Sequence, residues 1–376
     1  MENSGKSIIV DLRSLHSSEY SGVEHYTVRV LEQLLESDHD TIYRLFYNGF
    51  FKKKFDFFHF INARYIQTRI PNRLLNLSLK LFSYPKLEKL VGTRGTILMP
   101  NWNTLAVQPD TRVILTVHDL SPQLMPEYYS LKSRIWHRLL NIPKLLNRAN
   151  HLIAVSEFTK MSLIEKMGVP SHKITVAQLG VDHNNYLPNL KVERLREVRN
   201  RYDLPGDFVL FVGTVEPRKN LPRLIEAFEQ IDAPIHLVIA GKLGWKYNAL
   251  LRQIANSPKQ RFIKLIGYIP ENDKPYIMKL ARVFAWPSLY EGFGLPILEA
   301  MAVGTPVVTS SVSSLPEVTG DSAILVNPHN TEDIAKAILQ LHQDESLRET
   351  YITKGLQRSQ EFSWDKCASI IKTVLH

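Results

Sequence analysis

The chain has 376 residues, 44% of them hydrophobic and 22% charged, a composition that excludes extensive disorder and provides for two or three domains, each with its own core. Its one cysteine, Cys367, excludes an intramolecular disulfide and points to a reducing compartment. The start MENSGKSIIV resembles no signal peptide and no run reaches the roughly 18 apolar residues of a membrane span, so a cytoplasmic protein is expected. The net charge of +9 is confined to residues 44–94, where eleven Lys or Arg face two acids, Asp56 and Glu88, while the remainder carries 35 bases and 35 acids.

Ser7 to Leu12 reads as a first strand, followed by a polar loop and a helix from Gly22 to Glu36. Gly22 would sit at the helix start, where free amides and the helix dipole suit an anion; a plain turn glycine is the alternative. Thr41 to Tyr47 reads as a second strand leading into the basic, aromatic segment, in which Pro71 and Pro85 bracket a helix bearing Leu74, Leu75, Leu77, Leu79, Leu81 and Phe82. Further strands are expected at Thr96–Met99, Arg112–Val117, His151–Val155 and Ile174–Gln178, with helices at Leu131–Asn147 and Glu157–Met167, the latter capped by Ser156. Asp182–Pro205, polar and charged, reads as a linker with one helix. The alternation then restarts with runs ending at Gly213, Gly241 and Gly267 and with VFAWPS, and helices at Thr331–Gln343, Ser346–Phe362 and Trp364–Leu375 complete the chain. Such alternation implies two parallel-sheet α/β domains whose strands' carboxyl ends would face across a ligand cleft.

The candidate site centres on Arg282–Glu317. There a short apolar strand is followed by Gly292, Phe293 and Gly294, then by a helix from Leu295 with Pro296 in its first turn. Glu291 and Glu299 bracket the helix start, where phosphate would bind amides; as acceptors they suit sugar hydroxyls, the alternative being a loop acid and a solvated helix acid. After the strand ending at Gly213, Arg218 and Lys219 precede a helix that Asn220 is expected to cap. Two cations there suit a diphosphate, with an exposed basic turn as the alternative. His118 ends an apolar strand, where it would face ligand or serve a structural role. The thirteen histidines and one cysteine show no metal-ligand spacing. Asp38-His39-Asp40 reads as a helix-end turn.

EGFGLPILEA, GTVEPRKN, VHDL, VSEFTK and SGVEHYT together resemble family 4 of the retaining glycosyltransferases, and the likeness covers nearly the whole chain except the basic aromatic segment. The resemblance implies the GT-B fold: two Rossmann-like doubly wound domains facing across a cleft, here residues 1–187 on the acceptor side and 188–363 binding the nucleotide sugar, with the helix in 364–376 returning to the first. It further implies that Glu299 binds the nucleotide ribose and Glu291 the transferred sugar. Arg218 and Lys219 would hold the donor diphosphate, helped by amides around Gly294 and Leu295. His118 would contact the sugar, Gly22 would lie near the diphosphate and acceptor, and no divalent metal or other cofactor is expected.

The VEPRKN form of the loop resembles bacterial mannosyltransferases that build surface polysaccharides, which makes GDP-mannose the expected donor and a glycan or lipid-linked molecule the expected acceptor. The rival readings are a sugar-nucleotide epimerase of the same architecture, which lacks an obvious set of groups for proton removal and return, and an inactive binding subunit, which would be expected to have lost the glutamates or Lys219. Residues 44–94 are expected either to rest on an anionic membrane surface or to form a solvated basic face. Nucleic acid is not expected as a partner, since no recognition motif accompanies the charge.

Overall fold

A computed structural model describes residues 7–15, 22–50 and 59–376; the polar loop after the first strand and the FKKKFDFF part of the basic segment lie outside the described residues. Among the described residues, thirteen strands form two all-parallel sheets. The first contains β1 (Ser7–Asp11), β2 (Ile42–Asn48), β3 (Ala63–Thr68), β4 (Thr96–Met99), β5 (Val113–Val117), β6 (His151–Ala154) and β7 (Ile174–Val176) in the order β3-β2-β1-β4-β5-β6-β7. The second contains β8 (Phe208–Val212), β9 (His236–Ala240), β10 (Ile263–Gly267), β11 (Val283–Trp286), β12 (Val307–Ser310) and β13 (Ile324–Val326) in the order β10-β9-β8-β11-β12-β13. Every residue of β5, β8, β11 and β12 is buried, as expected of central strands covered by helices on both faces.

Each order reverses direction once, between β1 and β4 and between β8 and β11. At such a switch point the loops leaving the carboxyl ends diverge and open a ligand crevice. Strand order therefore marks the loops after β8 and β11 as the place to look in the second sheet. By Cα packing the chain divides into two compact units, one comprising the chain up to Leu120, Ile135–Leu179 and Trp364–His376, the other Ser121–Arg134 and Gly180–Ser363. Within the first unit, the Trp364–Leu375 helix packs on the Gly22–Ser37 helix, with the Trp364 ring 6.3 Å from that of Tyr26 and Arg112 donating to the Val374 carbonyl at 2.7 Å.

Several local expectations are corrected. The single helix expected over Leu131–Asn147 is two, Leu131–Leu140 and Ile142–Arg148, because the Pro143 ring would strike the carbonyl one turn back; Asn141 takes φ 53° at the break and accepts from the Lys144 amide. The basic segment contains an unforeseen strand, β3, whose edge position leaves it without a clean apolar alternation. Asn220 does occupy the N-cap position, but its side chain makes no capping bond and donates instead to the Pro287 and Pro328 carbonyls at 2.9 and 2.7 Å. Ser156 caps as expected, accepting from the Thr159 amide at 3.0 Å.

Candidate active site

The loops after β8 and β11 are stitched together by backbone and side chain. The Leu289 backbone amide donates to the Arg218 carbonyl at 2.9 Å, Arg218 Nη1 donates to the Tyr290 carbonyl at 2.6 Å, and Asn220 Nδ2 donates to the Pro287 carbonyl. Gly213 opens the first loop under the indole of Trp286, where a Cβ would fall 2.6 Å from a ring carbon, so close packing requires the glycine. Ser313 and Ser314 hold the second loop: the Glu291 amide donates to Ser313 Oγ at 3.0 Å, and the Ser314 hydroxyl lies 3.0 Å from the Glu291 and Phe293 carbonyls. Gly294 then turns the chain into the Leu295–Ala302 helix at φ 107°, a conformation in which a Cβ would meet Leu315 at 2.8 Å. No side chain caps this helix and Pro296 carries no amide hydrogen, so its start presents unsatisfied backbone donors around Gly294 and Leu295. Phe293 contributes backbone here, because its ring packs edge-on against Phe362. Gly292 is buried within the same turn.

This scaffold brings four charges together out of water. Glu291 Oε1 accepts from Lys219 Nζ at 2.6 Å and from Trp286 Nε1 at 3.1 Å, and its Oε2 accepts from Arg218 Nη1 at 2.9 Å; Arg218 Nη2 pairs with Glu216 at 2.8 Å. Lys219 also sits 4.5 Å from the centroid of the Trp286 indole, which is stacked on Phe211 and Phe284. Lys219 is 9% exposed, which rules out the exposed basic turn. Burial pushes the Glu291 carboxyl up, but Lys219 and Arg218 outweigh it and hold the group at about 2. Burial and the neighbouring Arg218 lower the Lys219 ammonium despite Glu291 and Glu216. The two carboxylates neutralise the two cations, and each cation keeps donors to exchange for another anion.

A second charged cluster lies one turn into the same helix. Glu299 is 4% exposed, so it is no solvated helix acid, and Lys274 Nζ approaches its two oxygens at 2.9 and 2.6 Å. Tyr186 and Glu271 complete the cluster: Tyr186 Oη donates to Glu271 at 3.4 Å, and Lys274 lies 5.9 Å from the Tyr186 ring. Burial disfavours the Lys274 charge, yet Glu299 and Glu271 raise its pKa, and burial followed by Glu299 raises the Tyr186 phenol.

The other two candidates lie in the first unit. His118, just past β5, is half-buried, and since a carbonyl can only accept, its Nε2–H donates to Pro100 at 2.8 Å and leaves Nδ1 as an acceptor. Burial lowers its pKa more than the Pro100 carbonyl, Asp119 and Glu24 raise it, favouring neutral imidazole. Its ring meets Tyr26 edge-on at 4.7 Å, on the helix that Gly22 opens. Gly22 is exposed and a Cβ there would touch nothing, so packing does not demand glycine.

Sequence reasoning placed Arg218, Lys219, Glu291, Glu299 and the glycine turn in one region but missed four partners. Glu216 and Trp286 had a signal, one inside the VEPRKN loop and the other an aromatic at the carboxyl end of a strand. Lys274 and Tyr186 had none, because only tertiary packing brings them to Glu299. Among the described residues no group of three or more His, Cys, Asp or Glu is arranged to hold a metal ion.

Two Rossmann-like parallel sheets, the second with a buried Arg-Lys-Glu cluster and an uncapped helix start at its switch point, are the GT-B architecture. The profile of the family described as Glycosyltransferase Family 4 matches residues 20–185, and that of Glycosyl transferases group 1 matches residues 196–358. The O-antigen chain mannosyltransferase B of Escherichia coli is 36% identical over 263 residues, covering 69% of this chain and 68% of that protein. The serotype-specific mannosyltransferase WbdA of Escherichia coli is 29% identical over 265 residues, 69% of this chain but only 32% of that longer protein. In fold, the chain resembles sucrose-phosphate synthase from Thermosynechococcus elongatus, with TM-score 0.76, 22% identity and 98% of each chain covered. It also resembles Anabaena HepE in complex with UDP and glucose, with TM-score 0.73, 19% identity, and 98% of this chain and 99% of that one covered. The chain belongs to the family 4, group 1 glycosyltransferases, enzymes that transfer a sugar from a nucleoside-diphosphate sugar to an acceptor.

Proposed function

We propose that this enzyme transfers mannose from GDP-mannose, with retention of anomeric configuration, to a glycan or lipid-linked acceptor of polysaccharide or lipopolysaccharide synthesis. The observation that carries the sugar assignment is the 36% identity to an O-antigen chain mannosyltransferase across two thirds of both chains. The reaction needs its main help where charge grows, on the departing diphosphate, and Arg218, Lys219 and the amides at Gly294 and Leu295 are the groups that supply it. When the diphosphate arrives, it takes the two cations as partners from Glu291, whose carboxylate is then available to accept hydroxyl hydrogens of the transferred sugar. Glu299 holds the ribose, and His118 Nδ1 accepts from the transferred sugar. Gly22 lies by the diphosphate and acceptor. The bond between the anomeric carbon and the phosphate oxygen breaks as the acceptor oxygen attacks from the same face, and the acceptor's proton passes to the leaving phosphate.

The two cations carry the diphosphate charge, so the reaction is proposed to run without divalent metal and to survive EDTA. The site of action is the cytoplasmic face of a membrane, met through residues 44–94. No helix among the described residues is long and apolar enough to cross a membrane. Thermal stability measured with GDP and with UDP tests the donor, since binding to the folded form raises stability by mass action. Stabilisation by GDP, followed by release of GDP from GDP-mannose and an α-linked product by NMR, is the expected result; stabilisation by UDP alone, or an inverted product, overturns it.

A further inference from the structure

The Asn72–Phe82 helix of the first unit carries two apolar rows on roughly opposite sides. Leu75 and Leu79 are buried with Ala106, and Ile70 and Leu90 pack alongside them. Leu74, Leu77 and Leu81, spaced three and four residues apart and so on one face, are 60%, 54% and 62% exposed, and Phe82 in the last turn is 74% exposed. One packed row is enough to dock such a helix on its domain, whereas a second row in water has no folding role.

Charge supplies the chemistry of what covers that row. The helix contains no acid, and its exposed Arg73 and Lys80 flank the outward leucines. The nearest acid in sequence, Glu88, is buried, accepting from the Gln108 amide at 2.9 Å and from the Thr111 hydroxyl, so it does not offset the positive surface. An acidic soluble partner would use the cations and leave the leucines wet, and a purely apolar partner would do the reverse. The boundary between anionic headgroups and acyl chains satisfies both on one short helix.

We infer that the Leu74, Leu77 and Leu81 face inserts shallowly into an anionic bilayer, with Arg73 and Lys80 at the lipid phosphates. The inference rests on the membrane placement proposed above and adds the element and the mode of attachment. The full chain is sedimented with phosphatidylglycerol/phosphatidylethanolamine vesicles and with phosphatidylcholine vesicles, at low and high salt, as wild type, as Leu74→Gln/Leu77→Gln/Leu81→Gln, and as Arg73→Gln/Lys80→Gln. Wild type should pellet with the anionic vesicles. The leucine variant should partition at least tenfold more weakly at both salts, and the charge variant several-fold more weakly at low salt only. Wild-type-like pelleting of the leucine variant overturns insertion while leaving electrostatic placement standing, and failure of wild type to pellet overturns both. A lipid-free dimer that the leucine substitutions convert to monomer assigns the face to a second copy of the chain and overturns the inference as well. Stabilisation by GDP, measured on the same variants, reports separately on the donor assignment.

Discussion

At the β8 and β11 loops of the second sheet, Glu216, Arg218, Lys219 and Glu291 are joined by ion pairs with little access to water, Lys219 and Glu291 lying against Trp286. On the Asn72–Phe82 helix of the first unit, four large apolar side chains lie in the open. Each region inverts the usual partition of polar outside and apolar inside: burying the charges costs desolvation free energy that their mutual pairing offsets, and leaving the leucines exposed forgoes the gain that burial would bring. The physical difference is reversibility. Buried charges hold one another in fixed geometry and cannot be removed singly without leaving a partner stranded, whereas leucines that are more than half exposed have little folded-state contact to lose. The first region should therefore be sensitive to single substitutions in stability and turnover together, the second in neither until a bilayer is present.

The sharpest test is Lys219→Ala. Losing a charged donor to a departing diphosphate should lower turnover at saturating donor about a hundredfold or more, roughly 3 kcal/mol, with a smaller effect on binding of free GDP. Near-normal turnover would place the catalytic charge elsewhere. Glu299→Ala should act differently, since it strands Lys274 in a buried site; a loss on the order of 3 kcal/mol of stability is expected with a raised KM for donor, and turnover at saturation should stay close to wild type. Urea unfolding and a donor titration measure the two effects, and an unchanged KM would remove Glu299 from donor binding.

Glu291→Gln sharpens the contrast through pH. The wild-type carboxyl has its folded pKa depressed from near 4.5 to about 2, so its stabilising contribution is complete above the unfolded value and is lost as pH falls through the folded one. Wild type should exceed the variant by on the order of 3 kcal/mol at neutral pH, with the gap narrowing below about pH 4.5. A gap independent of pH would mean that the ionised carboxylate is not what holds Arg218 and Lys219.

Trp286→Phe removes one hydrogen bond to Glu291 and weakens the ring's hold on Lys219, keeping most of the packing. It should cost about 1 kcal/mol in stability and a few-fold in turnover, and urea unfolding with steady-state kinetics detects a larger loss if the indole N–H dominates. Smallest of all, Leu74→Gln/Leu77→Gln/Leu81→Gln without lipid should shift stability by no more than about 0.5 kcal/mol per site. A cooperative collapse of that variant would show that the outward row is structural after all.

What the amino-acid order determined by itself was whatever local chemistry encodes: parallel α/β organisation from strands alternating with helices, the glycine turn into the Leu295 helix, and the adjacency of Arg218 with Lys219. The confinement of excess charge to residues 44–94 was equally legible, being a count. Tertiary structure alone decided the pairings that join distant positions. Glu299 meets Lys274 because two helices pack, Glu291 meets Lys219 because strand order sets β8 beside β11, and Asn220 leaves its cap for two carbonyls reachable only in the folded loops. It also decided that Leu75 and Leu79 are buried while Leu74, Leu77 and Leu81 are not. Both rows have helical spacing, and only the presence of Ala106 and Leu90 on one side distinguishes them.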